Sequence, residues 1–577
     1  MGITRRGRDA GSDPPDVVAM TERRPARLGA LFVLGVPVAL AIAACGLFDP
    51  FPDLAAAPSD DASVESSTST TDDSGSSDAA ACIVGTTRAC GFEACTGTEQ
   101  CQTDGGWSAC NARKPTHELC DTAFDESCDG VGSCTGDGRW ARAFGDTRAQ
   151  EVTAMATDDD GNTYAVGFFD GNLLLNEPDG GAVLNAGDDL ERDAFLVKLS
   201  RSGALQWARS IPDSRLDAVA LRGKEIVVGG TLYASTSLPG CGALTNAGGH
   251  DALVARYDPA GNCIKAARYG DDKSQALTAL AVDPVNGDIV GVGTYTGELS
   301  FGGPADAGSS FPLTYISAGY FVRLDAATLE GRNGTSFRGT RIEVAGVAVT
   351  PSQQSIVVGS FFDYFEQHDA KGARDAFVMK IQPGGERYFV GTVGEPNASF
   401  ALTAVAFDRN RANGSYMMVV AGQLTGHVTL PGGEVLETPS THGGMFLARI
   451  PMAYMATTWT GRWFGDTGLE RPYAVATDLE GNVLVAGEVS GHADLGAGAF
   501  DVPDFDAFVA KYDPLFAHRW SHVFGGDGHQ VSWAVSTDVL GDVFVGGAFA
   551  GATDFAEAGA PLEAGVSSDA FVLRRRP

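Results

Sequence analysis

Two short phrases each recur seven times along this chain, and such repetition constrains the fold more than any single residue can. The first is close to Asp-Ala-Phe-Val-Ala-Lys-Tyr and sets one cation among apolar residues, and the second is a short apolar run that ends on glycine. The first phrase begins at Asp193, Asp251, Ala318, Asp375, Gly444, Asp506 and Asp569, and the apolar runs end at Gly167, Gly229, Gly293, Gly359, Gly422, Gly487 and Gly547. Because the two phrases alternate, the sequence predicts seven structural units.

Each unit contains four short strand patterns separated by turns. In the best-preserved unit these are residues 473–477, 483–487, 506–512 and 518–524, and most of the length that varies between units falls between the second and third patterns. Four-stranded units repeated radially form a β-propeller, in which each sheet buries its faces against its neighbours. We therefore predict an all-β, seven-bladed propeller over residues 137–577, with long loops on one face.

The two ends of the repeat region indicate how the ring closes. Residues 139–145 match the fourth strand of a unit but stand before the first unit, whereas the chain stops after the third strand of the last unit, at residues 571–576. An N-terminal strand that completed the last blade would remove an exposed sheet edge. We predict that the propeller is closed in this way.

The repeats resemble a known bacterial family. The resemblance is carried by residues 506–514, Trp520, residues 524–527, Thr537-Asp538, Gly541-Asp542 and residues 543–547. These are similar to the bacterial seven-bladed beta-propeller repeat, SBBP, over residues 139–577, although the motif is less well preserved in the third to fifth units. The resemblance implies an exported, surface or extracellular protein and no particular activity.

The N-terminal 45 residues have the pattern of an export signal. Arg23, Arg24 and Arg27 precede an apolar run over residues 28–44, and Cys45 follows directly. This resembles the bacterial lipoprotein signal, which implies cleavage before Cys45 and attachment of lipid to it. A plain signal peptide and an uncleaved anchor are the alternatives, since 17 apolar residues nearly span a bilayer. Residues 46–80 are rich in Ser, Thr and Asp and predict a disordered linker.

Residues 81–136 are predicted to form a disulfide-rich module. Eight cysteines in so short an exported segment imply four disulfides, whose pairing the spacing does not determine. Zinc binding is disfavoured because it needs closely spaced cysteine pairs. The eight are Cys82, Cys90, Cys95, Cys101, Cys110, Cys120, Cys128 and Cys134. Cys241 and Cys263, in the repeat region, are candidates for a further disulfide.

Acidic residues cluster inside this module and resemble the metal-binding motif of exported bacterial proteins in which acidic residues bracket Cys-Asp-Gly. Crowded carboxylate oxygens favour calcium. The stretch between the two cysteines departs from that motif, since Thr122, Ala123 and Phe124 replace acidic residues, and solvated acidic turns are the alternative. The candidate ligands are Glu118, Asp121, Asp125, Glu126 and Asp129.

Several function classes find no support in the sequence. A net charge of −32 argues against binding to nucleic acid, which requires clustered Lys and Arg. The chain has no Gly-x-Ser-x-Gly elbow and no evident pairing of histidine with a carboxylate. His518, His522 and His529 are interpreted as surface residues. Four tryptophans near the start of fourth strands predict packing between blades: Trp140, Trp207, Trp459 and Trp520.

The leading functional hypothesis is a monomeric, non-catalytic lipoprotein of the cell envelope. Its propeller would bind a protein, a glycan or another envelope component through the loop-bearing face. One alternative is a glycan lyase or hydrolase with a site in the central funnel, and another is a structural spacer. A cluster of carboxylate, His or Arg side chains at one mouth of the channel would favour the enzyme.

Overall fold

The computed structural model describes residues 82–577 apart from 176–181, 187–191, 305–307, 409–415, 439–441, 454, 456, 556–560 and 566. Every described residue lies within one compact unit, Ser76–Pro577. The predicted signal segment, with Cys45, and the predicted linker lie outside the described residues. The described part of the chain holds no helix with the length and apolarity that a membrane crossing requires.

Seven antiparallel sheets form a seven-bladed β-propeller, as the repeat count predicts. We label the strands of each blade a to d, with strand a lining the axial channel. Blade 1 comprises Gln150–Thr157, Thr163–Phe169, Asp193–Leu199 and Leu205–Ile211, blade 2 comprises Ser214–Arg222, Glu225–Leu232, Asp251–Tyr257 and Cys263–Tyr269, and blade 3 comprises Gln275–Val282, Ile289–Ser300, Ser310–Leu324 and Gly331–Arg338. Blade 4 comprises Glu343–Val349, Ser355–Phe361, Asp375–Ile381 and Arg387–Val393, and blade 5 comprises Ser399–Asp408, Met417–Thr425, Gly444–Pro451 and Thr460–Phe464. Blade 6 comprises Leu469–Thr477, Val483–Ala493, Phe500–Tyr512 and His518–Phe524, and blade 7 comprises Gln530–Thr537, Val543–Phe549, Asp569–Arg575 and Gly138–Phe144.

Strand d of blade 7 comes from the N-terminal side of the repeats, so the predicted closure is confirmed. Gly138–Phe144 lies antiparallel to Asp569–Arg575, with Ala141 opposite Leu573 and Ala143 opposite Phe571. The first and last parts of the repeat region therefore share one sheet, and strand c of blade 7 has no open edge.

The chain between strands b and c is long, as predicted, and it forms either a hairpin or an extension of those two strands. Blades 3 and 6 have lengthened b and c strands, and the other five blades carry a hairpin. The hairpins pair Asn172–Leu175 with Ala182–Asn185, Thr236–Leu238 with Gly242–Leu244, Tyr364–Phe365 with His368–Asp369, His427–Thr429 with Val435–Glu437, and Ala552–Thr553 with Leu562–Glu563. All leave their blades where strand b ends and strand a begins, which gives one face of the propeller its long loops.

The core is distributed around the ring. Within the described residues, seven hydrophobic clusters each combine side chains of two neighbouring blades. The cluster at the seam joins Val572 and Phe544 of blade 7 to Phe195 and Val197 of blade 1. A blade alone would expose both faces to water, so the ring is stable only as a whole.

In blades 2, 3, 4, 5 and 7 the cation of the recurrent phrase donates to a backbone carbonyl of the next blade. Arg323 in blade 3 pairs with Asp283 in the a–b turn of its own blade and donates to the carbonyl of Gln353 in blade 4 at 2.9 Å. Arg449 in blade 5 makes the same two contacts, with Asp408 and with the carbonyl of Gly481 in blade 6. A buried charge needs such partners, which explains why a cation recurs within an apolar strand.

The tryptophans of strand d pack between blades, as predicted. The Trp140 ring lies against Gly203 in the c–d turn of blade 1, where an added Cβ would come within 2.7 Å of the ring, and its Nε1 donates to the Arg201 carbonyl at 2.9 Å. Trp207 packs in the same way on blade 2, and Trp520 contacts Gly136. The fourth tryptophan differs: Trp459 lies just before strand d and donates within its own blade.

The disulfide-rich module is also confirmed. The module contains a hairpin of Thr87–Phe92 and Cys95–Gln100 and four disulfides, two of which start from the hairpin, and a fifth disulfide joins the repeat-region cysteines. The pairs are Cys82–Cys101, Cys90–Cys110, Cys95–Cys128, Cys120–Cys134 and Cys241–Cys263. The module packs against blades 6 and 7, where the Glu118 amide donates to the Leu540 carbonyl at 3.1 Å and Asp121 pairs with Arg519 at 2.6 Å.

Candidate functional site at one mouth of the channel

Strand a of every blade carries a β-bulge at the same place, near its start. A bulge re-aims one side chain, and the seven bulged residues line a cavity of about 340 Å³ around the axis. They form a ring, which we call the bulge ring, of Thr153, Asp217, Thr278, Ala345, Thr403, Tyr473 and Trp533.

Threonine is the commonest residue of the bulge ring, and its role is structural. Each threonine hydroxyl donates to a strand a carbonyl of the next blade: Thr153 to Leu216 at 2.6 Å, and Thr403 to Pro472 at 2.7 Å. Thr278 makes the equivalent bond at 2.9 Å. The bulge ring residue is instead an acid in blade 2, Asp217, and an aromatic residue in blades 6 and 7, Tyr473 and Trp533. The bulge ring is therefore not chemically symmetric around the axis.

Blade 6 builds a hydrogen-bonded group around Glu488. Arg471 in strand a lies directly opposite Glu488 in strand b and donates to it at 2.8 Å, and the Tyr473 hydroxyl donates at 2.9 Å. His529, which precedes strand a of blade 7, places Nε2 2.8 Å from the other carboxylate oxygen. Three neighbours thus fix one buried acid.

The charge state of this group follows from those contacts. Burial opposes ionisation of Glu488, but the hydrogen bonds from His529, Arg471 and Tyr473 outweigh it and hold its pKa below the ordinary value. The hydrogen bond to Glu488 raises the pKa of His529. Burial, with the nearby charge of Glu488, raises the pKa of Tyr473 well above its ordinary value. The group therefore combines a carboxylate, a protonated phenol and a readily protonated imidazole.

Trp533 and Tyr473 form an aromatic pair on the channel wall. Their ring centroids are 4.3 Å apart with an interplanar angle of 43°. The Trp533 Nε1–H is buried and has no hydrogen-bond partner among the described residues. A buried indole donor usually has a partner, so this one is an exception beside the channel.

Blades 1 and 2 contribute a second charged group. Arg215 donates from Nε to Asp217 of the bulge ring at 2.6 Å. Burial raises the pKa of Asp217, against the opposing charge of Arg215. Glu151 stands just before the bulge in blade 1, and burial raises its pKa too, against the charges of Arg215 and Arg192.

The opposite mouth has a different character. A cavity of about 650 Å³ lies there, at the ends of the a strands. Its two acids are occupied, since Asp478 pairs with Lys511 at 3.1 Å and Asp538 with Arg201 at 2.5 Å. Much of the remaining lining is apolar and includes Leu221, Val282, Val349, Phe407 and Leu479. We place the candidate site at the smaller cavity, because the partly exposed ionisable and aromatic side chains converge there.

The acidic residues proposed as calcium ligands do not converge. Asp125 accepts from the amides of Asp129 and Gly130 at 2.9 Å, and Asp121 pairs with Arg519. Glu118 accepts from the Ser127 amide, Glu126 from Thr122, and Asp129 pairs with Arg139 and Arg576. Among the described residues no group of three or more His, Cys, Asp or Glu is placed to hold a metal ion. Calcium binding by these residues stays a prediction.

The residues of the channel mouth were not singled out by the sequence, apart from His529. The sequence analysis grouped His529 with His518 and His522. In the structure, however, His518 contacts the Ser521 hydroxyl and His522 contacts the Thr135 carbonyl. One signal was present: the repeat position that holds threonine in three blades holds Asp217, Tyr473 and Trp533 in three others. A structural repeat that loses its usual residue at one place often carries function there.

No protein-family model and no curated protein sequence matches this chain. Among solved structures, it is similar to Sqt1 from Chaetomium thermophilum at 11% identity and a TM-score of 0.36, covering 77% of this chain and 100% of that one. It is similar to Kuenenia stuttgartiensis hydrazine synthase at 13% identity and a TM-score of 0.34, covering 68% and 92%. For the polysaccharide lyase Uly1 the values are 10%, 0.29, 62% and 89%. Likenesses this remote assign no activity to the chain.

Proposed function

We propose that this is an exported protein of the cell envelope whose propeller binds a glycan, without covalent chemistry, at the channel mouth. The observation that carries the proposal is the Tyr473–Trp533 pair on the cavity wall, with the Arg471–Glu488 pair joined to it by the Tyr473 hydroxyl. A sugar ring offers an apolar face that packs on aromatic rings and hydroxyls that bond to fixed polar groups.

The site is held in a binding geometry before any ligand arrives. Glu488 is fixed by three donors, and strand a of blade 6, which carries Arg471 and Tyr473, accepts a hydrogen bond from Thr403 of blade 5. Groups that are already ordered lose little further freedom on binding. A rigid mouth suits recognition of one saccharide unit at a time.

The test is titration calorimetry of the full chain with oligosaccharides released from bacterial envelope polymers. Trp533→Ala removes half of the aromatic pair and should abolish most of the binding heat. Tyr388→Ala, at an aromatic side chain that is 70% exposed on strand d of blade 4, is the matched control. Equal binding by the Trp533 variant would refute the site.

We also propose that the protein is located in the cell envelope. The five disulfides support an oxidising compartment, and the leader pattern supports lipid attachment at Cys45. The Cys45→Ala variant should move the protein from the membrane fraction to the soluble exported fraction. Retention of the variant in the membrane fraction would contradict lipid anchoring.

An enzyme acting on the same glycan is the second candidate. The Tyr473–Glu488–His529 chain favours it, because proton transfer requires groups within hydrogen-bond reach of one another. Incubation with polysaccharides, followed by measurement of new reducing ends, separates the two. Release of ends that depends on His529 would replace the binding protein with the enzyme.

A further inference from the structure

We infer that the ligand of this mouth is an anionic saccharide, one that carries carboxylate or sulfate groups; this rests on the proposed function and narrows it. The chain as a whole carries a net charge of −32. Against that background, Arg215 of blade 2 and Arg471 of blade 6 each stand two residues before a bulge ring residue and are more exposed than the carboxylates with which they pair. Exposed cations on an acidic protein are a feature that an anionic ligand would exploit.

The arginines are positioned by carboxylates that lie deeper. Arg471 forms an ion pair with Glu488, and Arg215 forms one with Asp217. The Glu488 side chain is only 4% exposed, whereas that of Arg471 is 42% exposed. One edge of each guanidinium is used by its own carboxylate. A guanidinium has five N–H donors in a planar fork, so the outer edge can bind a second carboxylate or a sulfate.

Aromatic rings hold the guanidinium planes in place. The guanidinium carbons of Arg192 and Arg215 lie 4.0 and 4.9 Å from the centroid of the Phe168 ring. In blade 4, Arg341 and Arg374 lie 4.0 and 5.6 Å from Phe362. Such cation–π contacts order a long side chain without using its donors.

The acids of the mouth pair with its arginines, but in blades 2 and 6 the arginine is the more exposed partner. Arg471 is 42% exposed against 4% for Glu488, and Arg215 is 34% exposed against 23% for Asp217. The order is reversed in blade 4, where Glu343 is more exposed than Arg374, and Arg192 lies 3.5 Å from Asp170. The side of the mouth formed by blades 2 and 6 therefore presents the outer edges of Arg215 and Arg471, with the aromatic pair beside them for the sugar ring.

The test titrates the full chain with three probes: galacturonate oligomers, sulfated dextran oligomers and neutral dextran oligomers of matched length. The acidic probes should bind, more weakly as salt rises, and the neutral probe should bind at least about tenfold more weakly. The two acidic probes show whether carboxylate or sulfate is preferred. Either preference supports an anionic ligand.

Two variants localise the effect. Arg471→Gln and Arg215→Gln should each weaken binding of the acidic probe by about tenfold or more, as loss of a charged hydrogen bond predicts. Arg332→Gln, at an arginine 52% exposed beside Asp288 and Asp325, should not. Melting curves show whether each variant is folded, and His529→Gln gives a second test at a side chain that is 56% exposed.

The outcomes separate the two claims. If neutral dextran binds as tightly as the acidic probes, and Trp533→Ala abolishes that binding, the inference fails while the proposed function stands. If none of the three probes binds, the proposed function and the inference both fail.

Discussion

Glu93, at the hairpin turn of the disulfide-rich module, forms an ion pair with Arg574 in the last strand of the chain at 3.2 Å. The same carboxylate reaches Arg139 in the closing strand at 2.7 Å and Arg201 in blade 1 at 3.6 Å. One acid of the module thus joins three arginines across the seam where the ring closes, so the module takes part in closing the propeller.

Replacing this acid should loosen the seam. Glu93→Gln leaves three arginines without their shared carboxylate, and we expect a loss of about 2 kcal/mol in the free energy of unfolding. Thermal and denaturant unfolding measure it. Glu99→Gln, which breaks a pair with the exposed Arg88 in the same module, should cost much less. Equal effects of the two substitutions would show that the seam contact is unimportant.

The closing strand also depends on Trp140. Trp140→Ala removes the ring that packs on Gly203 and the hydrogen bond to Arg201, and should destabilise the protein by about 3 kcal/mol. Trp140→Phe keeps most of the packing and loses only the donor, so its effect should be about 1 kcal/mol. Denaturant unfolding distinguishes the two. If Trp140→Ala left the free energy of unfolding unchanged, the seam would be held by other contacts.

A buried acid in blade 6 makes stability depend on pH. Glu470 is fully buried, and burial, with the charges of Asp494 and Asp466, raises its pKa to about 7. The equivalent residue in blades 1, 3 and 7 is a glutamine whose amide donates to a backbone carbonyl: Gln150, Gln275 and Gln530. Protonated Glu470 resembles that neutral side chain, whereas the ionised form accepts from the Asp494 amide but has no cation to neutralise it among the nearby acids.

Because the folded state holds this proton more tightly than the unfolded state, the contribution of Glu470 is complete below its ordinary pKa of 4.5 and is lost as pH rises toward 7. Glu470→Gln should therefore be more stable than the wild type above pH 7, by roughly 3 kcal/mol at most, and near equal at pH 4.5. Unfolding at a series of pH values measures the difference. Glu298→Gln, at an exposed position of strand b in blade 3, should show no such trend, and a flat difference for Glu470→Gln would contradict this explanation.

The pKa of His529, at the channel mouth, depends on its contact with Glu488. Glu488→Gln removes the charge that raises the pKa of His529, so the pKa should fall toward the ordinary value for histidine. Titration of the His529 ring by NMR follows this directly. An unchanged pKa would mean that the two side chains are not in contact in solution.

The sequence predicted the ring far better than the site. Blade number, strand order and closure follow from local patterns such as the phrase at Asp506 and from the fourth-strand pattern around Trp140, and each blade repeats the same solution. The disulfide pairing was open, because spacing does not say which cysteines meet. The calcium interpretation treated Asp121 and Asp125 as neighbours, although their oxygens turn to Arg519 and to backbone amides.

The residues of the channel mouth could not be predicted from the sequence, for a geometric reason. Tyr473 and Trp533 belong to strands of different blades that are 60 residues apart in the chain, and only the bulge turns both toward the axis. A bulge interrupts the alternation on which sequence-based strand prediction depends. Glu488, inside an apolar strand, gave no sign of its three partners.

The most direct test of the account is a crystal structure of the protein grown with galacturonate oligomers. We expect a sugar ring packed on Trp533 and Tyr473, with its carboxylate on the outer edge of Arg471 or Arg215. Sugar density on the outer rim or at the opposite mouth, with the Trp533 Nε1–H still without a partner, would contradict it.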